Sequence, residues 1–111
     1  MIKKLLLAGA VGAVFVFGNS NAQENQAAST LANQSGCLNC HKADQKLIGP
    51  SYQSVAERYK DQSNAPSILT QKVKNGGVGV WGRIPMPPHP QLSDENVTIL
   101  VAWVLRGAPT N

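Results

Sequence analysis

"CLNCH", residues 37–41, is the stretch from which the rest of the chain is read. Cys37 and Cys40 are the two cysteines of the sequence and His41 follows directly, which makes the C-x-x-C-H pattern of c-type haem attachment. The spacing has a chemical reason. Two thiols must reach the two vinyl groups on one side of a porphyrin and form thioethers. Two intervening residues on a helical turn separate the sulfurs suitably, and the next residue is carried under the ring with a nitrogen toward iron. Other uses of the same residues fit less well. A thioredoxin-like redox pair belongs at the end of a strand in a βαβ unit, and no β-rich run precedes Cys37. A structural zinc site needs a second pair of Cys or His, and only His89 remains. A disulfide across so short a loop restricts the unfolded chain little. The pentapeptide therefore predicts one haem c per chain, bonded through Cys37 and Cys40, with His41 as a metal ligand.

Upstream, Lys3 and Lys4 form a positive start, residues 5–17 are an almost purely apolar run, and Ser20 and Ala22 place small residues at the -3 and -1 positions of a cleavage site. This predicts a secretory signal peptide over residues 1–22, cleaved after Ala22. The apolar run is well short of the ~20 residues of a spanning helix. Export to the periplasm suits the haem motif, because c-type attachment is completed outside the cytoplasmic membrane.

The 111-residue chain has a formal net charge of +4. Residues 23–111, the expected single c-type haem domain, keep eight Lys and Arg against six Asp and Glu, a net +2. So small an excess with no basic run argues against nucleic-acid or membrane-surface binding. The same segment keeps only Tyr52, Tyr59, Trp81 and Trp103 as aromatics. A domain this small is marginal on its core alone, so a covalently held cofactor is expected to supplement it.

"GVGVWGRIPMPPHP", residues 77–90, holds four prolines and three glycines, a composition that suits neither helix nor strand. Pro85, Pro87 and Pro88 fix φ on both sides of Met86 and remove backbone donors. That stiff bracket predicts Met86 as the second axial ligand, its thioether held near iron with little entropy lost on ligation. Its competitor is His89, next to proline in the same loop. A Met thioether opposite a His raises the reduction potential relative to two imidazoles.

Elsewhere the chain reads as short helices. Ala28, Leu31 and Ala32 form a stripe that stops at Gly36. Tyr52, Val55, Ala56 and Tyr59 form a face after Pro50. Ile68, Leu69, Lys72 and Val73 follow Pro66 and end at "NGG", residues 75–77. Ser93 caps a last helix with Asp94 and Glu95 in its first turn, the stripe Val97, Leu100, Val101 and Val104, and an end at Arg106 and Gly107. The expected fold is all-α, four to five short helices around one haem.

The stretches "GCLNCHKADQKLIGPSYQSVAERY" and "KNGGVGVWGRIPMPPHPQLSDENVTILVAWVL", in that order, resemble the small class I bacterial cytochromes c of the c551/c552 type. The resemblance runs from about Leu31 to Leu105. It implies that the Pro50 carbonyl accepts the second N–H of the His41 ring and so orients it. It implies too that Trp81 hydrogen-bonds a haem propionate, that Lys72 lies near a propionate, and that the first and last helices cross with Leu31 near Trp103. Where such proteins usually carry Asn after "MPP", this chain has His89. Two outcomes are open there: His89 hydrogen-bonds the Met86 sulfur, or it points to solvent.

The implied activity is single-electron transfer by a monomeric carrier in a respiratory chain, not an enzyme. Its partners would be redox proteins such as a bc1-type complex, terminal oxidase, nitrite reductase or peroxidase, with no nucleic acid and no membrane span after cleavage. Lys42, Lys46, Lys72 and Arg83 are candidates for the rim of the haem edge. A haem enzyme or gas sensor would need an open iron position and distal polar groups, for which only His89 speaks. A subunit domain of a larger complex would keep the same haem and show a strongly apolar exposed face.

Overall fold

The structure, a computed structural model, describes residues 8–15 and 20–110. Lys3, Lys4 and part of the apolar run of the expected signal peptide lie outside these. Among the described residues the chain forms four α-helices, one short 3-10 turn and no strand, as the all-α expectation has it. The helices are α1 (Ser20–Gln34), α2 (Tyr52–Tyr59), α3 (Ala65–Asn75) and α4 (Asp94–Leu105), and the 3-10 turn is Cys37–Asn39. The expected cleavage point after Ala22 falls inside α1.

Local chemistry fixes the helix ends. Ser51 is extended and its Oγ accepts the Ser54 N–H at 3.0 Å, starting α2. Ser93 does the same for α4 through the Asn96 N–H at 3.1 Å, with Asp94 and Glu95 at the positive end of the helix dipole. In α3 Pro66 sits in the first turn, where its missing N–H has no helical partner to lose. At the other end of α4, the Ala108 N–H reaches back to the Trp103 carbonyl at 3.0 Å and closes the helix.

Helix α4 is the hub and packs against α1, α2 and α3. Its Val97, Leu100, Val101 and Trp103 are buried with Tyr52, Val55 and Tyr59 of α2 and Leu69 of α3. The Trp103 ring meets Tyr52 edge-on at 5.4 Å and donates its Nε1–H to the Pro109 carbonyl at 2.9 Å. Helix α1 buries Asn25, Ala28 and Ala32, and Leu31 packs half-buried against the same core. Small side chains let α1 approach closely, and Arg106 Nη2 donates to Asn25 Oδ1 at 3.0 Å across the α1 and α4 ends.

Candidate haem site

The attachment turn is coiled by a single carbonyl. Gly36, at φ 76°, breaks away from α1, and the Cys37 carbonyl then accepts the N–H groups of both Cys40 (3.2 Å) and His41 (3.0 Å). Beyond it, the carbonyls of Lys42 and Ala43 accept the N–H groups of Tyr52 and Gln53, each at 2.9 Å. These are first-turn donors of α2 without helical partners, so the helix start and the attachment segment are tied together.

His41 is oriented from two sides. Its Nδ1 lies 2.7 Å from the Pro50 carbonyl oxygen. A carbonyl only accepts, so Nδ1 carries the proton and the lone pair is left on Nε2. The ring also stacks on Tyr52, with centroids 5.0 Å apart and planes 19° from parallel. The Tyr52 hydroxyl hydrogen-bonds Cys37, and burial pushes both the Tyr52 hydroxyl and the Cys37 thiol up from their ordinary values. Both groups are therefore neutral at physiological pH in the unattached chain.

The proline-rich segment is held by its glycines. Gly77 donates to the Met86 carbonyl at 3.1 Å and Met86 donates back to the Gly77 carbonyl at 2.8 Å. Between them Gly79 donates to the Gly82 carbonyl at 3.0 Å and folds the tip. Past the prolines, the Val73 carbonyl accepts the His89 N–H at 3.0 Å and the His89 ring Nδ1–H at 3.3 Å. The His89 side chain thus bonds neither the Met86 sulfur nor solvent alone, but the last turn of α3.

Cys37, Cys40, His41, Pro50, Lys72, Trp81 and Met86 line one cleft, with an empty volume of about 1340 Å³ counted to its open mouth. Tyr52, Gly49 and Gly77 share it, and these were not singled out from the sequence as site residues. Tyr52 read there only as one position of a helix face. Lys72 runs along the cleft with its Cδ 3.0 Å from where a Cβ on Gly77 would be. Arg58 lies over the Trp81 ring, Cζ 5.3 Å from its centroid. Lys42, Lys46 and Arg83 are exposed. Ile48, Val78, Val80, Trp81 and Ile84 are large, exposed and lining the cleft. A flat apolar group the size of a porphyrin fits that lining, with two thiols and an imidazole at one wall and a thioether on the loop.

Two sulfurs and an imidazole on one turn, facing an apolar cleft inside a small helical shell, define a c-type haem protein. The chain belongs to the cytochrome c family, whose model matches residues 26–107. It is 39% identical over 105 residues to cytochrome c-552 of Hydrogenobacter thermophilus, which covers 94% of this chain and 97% of that one. It is 45% identical over 75 residues to cytochrome c-551 of Pseudomonas aeruginosa, 68% of this chain and 71% of that one. The crystal structure of Nitrosomonas europaea cytochrome c552 superposes with a TM-score of 0.68 at 38% identity, over 70% of this chain and 96% of that one. The chain is thus a small class I cytochrome c, a haem electron carrier and not an enzyme, with haem c held by thioethers at Cys37 and Cys40.

Proposed function

We propose that this chain is exported with its leader cut after Ala22 and passes single electrons between periplasmic redox proteins, its iron ligated by His41 and Met86. The haem, when bound, supplies a reversible one-electron change at iron. His41 offers Nε2 to the metal while its Nδ1–H is held by the Pro50 carbonyl, which makes the ring a better donor. Met86 offers its thioether from the clamped loop. With His41 and Met86 both holding the iron, the haem would offer no place for a substrate on the metal, and the chemistry it would supply is one-electron transfer through its exposed edge. Trp81 and Lys72 are the side chains for the propionates. The net +2 of residues 23–111 makes steering by Lys42, Lys46, Lys72 and Arg83 local, and suits brief contacts below ~1,200 Å² with partners such as a bc1-type complex, terminal oxidase, nitrite reductase or peroxidase.

The observation that carries this reading is that His41 and Met86 come from separate segments, each pinned by backbone bonds, and line one cleft. His89, the one feature favouring an open-site enzyme or sensor, has its ring Nδ1 committed to Val73. The test is optical. The oxidised protein is expected to show the weak red-end band of thioether sulfur on ferric iron, and the reduced protein to bind no carbon monoxide promptly at neutral pH. Met86→Ala should abolish the band, admit carbon monoxide and lower the potential by roughly 0.1–0.3 V. Prompt binding by the unmodified protein would overturn the proposal.

A further inference from the structure

Gly76 has three properties that point at one residue. Its φ of 74° and ψ of -176° lie in a region that is essentially reserved for glycine. Its N–H bonds the Lys72 carbonyl at 2.9 Å and ends α3. A Cβ built on it would stand 2.5 Å from the Met86 carbonyl oxygen, 3.0 Å from Pro88 N and 3.1 Å from Pro87 C. All three are main-chain atoms, and the two proline rings lock the φ angles through which that chain would otherwise give way.

We propose that Gly76 is a positioning residue for Met86, and that the cap of α3 fixes the Met86 backbone independently of any bond from its sulfur to iron. The inference rests on Met86 being the axial ligand. By turning the chain at the helix end, Gly76 delivers Gly77 into its reciprocal pair with Met86 (3.1 and 2.8 Å). Three residues later the His89 N–H returns to Val73 at 3.0 Å, so Met86 is stapled to the last turn of α3 from before and after. The loop's other left-handed glycines lack this contact. Gly79, at φ 101°, and Gly82, at φ 131°, would each carry a Cβ with nothing within 4 Å. They serve the turn alone.

The haem-loaded full protein is the material for the test. Gly76→Ala is expected to keep its covalent haem and helical far-UV signal, lose the red-end band and admit carbon monoxide when reduced. Gly79→Ala introduces similar backbone strain without the collision and is expected to keep the band and stay closed. Loss of the band in both, or retention in both, overturns the proposal. Met86→Ala separates the two ideas: if that variant keeps the band, the ligand assignment falls. If it loses the band while Gly76→Ala keeps it, only the role of Gly76 falls. Should Gly76→Ala fail to fold, amide exchange in loaded Met86→Ala decides. Protection at Gly77 and at position 86 within about tenfold of wild type is expected, and free exchange at both would show that iron, not the helix cap, holds the loop.

Discussion

A Cβ at position 49 would lie 2.7 Å from His41 Cε1 and 3.0 Å from its Nδ1. The imidazole can therefore reach the Pro50 carbonyl only because residue 49 is glycine. Gly49→Ala is expected to push the ring away and lengthen that 2.7 Å bond. An imidazole without this acceptor donates less to ferric iron, so the potential should rise, by tens of millivolts if about 1 kcal/mol of hydrogen bond is lost. Redox titration beside the proton NMR signal of the His41 ring N–H checks both links; a displaced ring with an unmoved potential would separate them. These residues are unevenly legible in the sequence, for a physical reason. Cys37, Cys40, His41 and Met86 carry reactive or ligating atoms in a distinctive local pattern. Gly49 acts by what it lacks, and a glycine before a proline reads simply as a turn. His89 posed two alternatives, and its ring partner was a backbone carbonyl 16 residues back, which no side-chain pattern signals.

At the level of elements, helix starts were legible where a polar cap or a proline announces them, as at Ser93 and Pro66. Ser51 shows what such a cap is worth when it is buried. Its Oγ accepts the Ser54 N–H at 3.0 Å and donates to Ser54 Oγ at 2.8 Å, and the residue is 5% exposed. Ser51→Ala is expected to destabilise the protein by about 1–2 kcal/mol, more than the same change at exposed Ser93, where water replaces part of the loss. Denaturant titrations of the two variants followed by haem absorbance give the comparison; equal losses would mean that burial of the cap adds nothing. The face of α1 was harder to read than those of α2 and α4. The sequence stripe was Ala28, Leu31 and Ala32, whereas the structure buries Asn25, Ala28 and Ala32. An asparagine has no hydrophobic signature, and its partner Arg106 is 81 residues distant. The pairing of Gly77 with Met86 was equally hidden, because two residues that close a loop form no period. What could be read was that the stretch is held by something other than helix or strand.

For the whole molecule, the question is whether the polypeptide can hold this shape unaided. Val97 is the largest side chain with under 2% exposure among the described residues, and the others that deeply buried are Ala28, Ala32 and Ala108. Meanwhile Ile48, Val78, Val80, Trp81 and Ile84, all lining the cleft, are 38–67% exposed. Completing the burial of five such side chains recovers roughly half of the ~1.5–3 kcal/mol that full burial of each provides, about 5 kcal/mol together. That equals the lower end of the net stability of an ordinary domain, ~5–15 kcal/mol. The covalently held group is thus part of the core and its loss should remove the fold as well as the chemistry. A Cys37→Ala/Cys40→Ala chain isolated without haem is expected to show weak far-UV helical signal and no cooperative denaturant transition, while the loaded protein shows a single steep one. The last turn of α3 and the loop it clamps should be affected with the rest, since Leu69, Lys72 and Val73 face the same cleft. A cooperative transition in the haem-free variant near the midpoint of the loaded protein would mean that the helices pack sufficiently through α4 alone, and that the cleft is a site added to a finished fold.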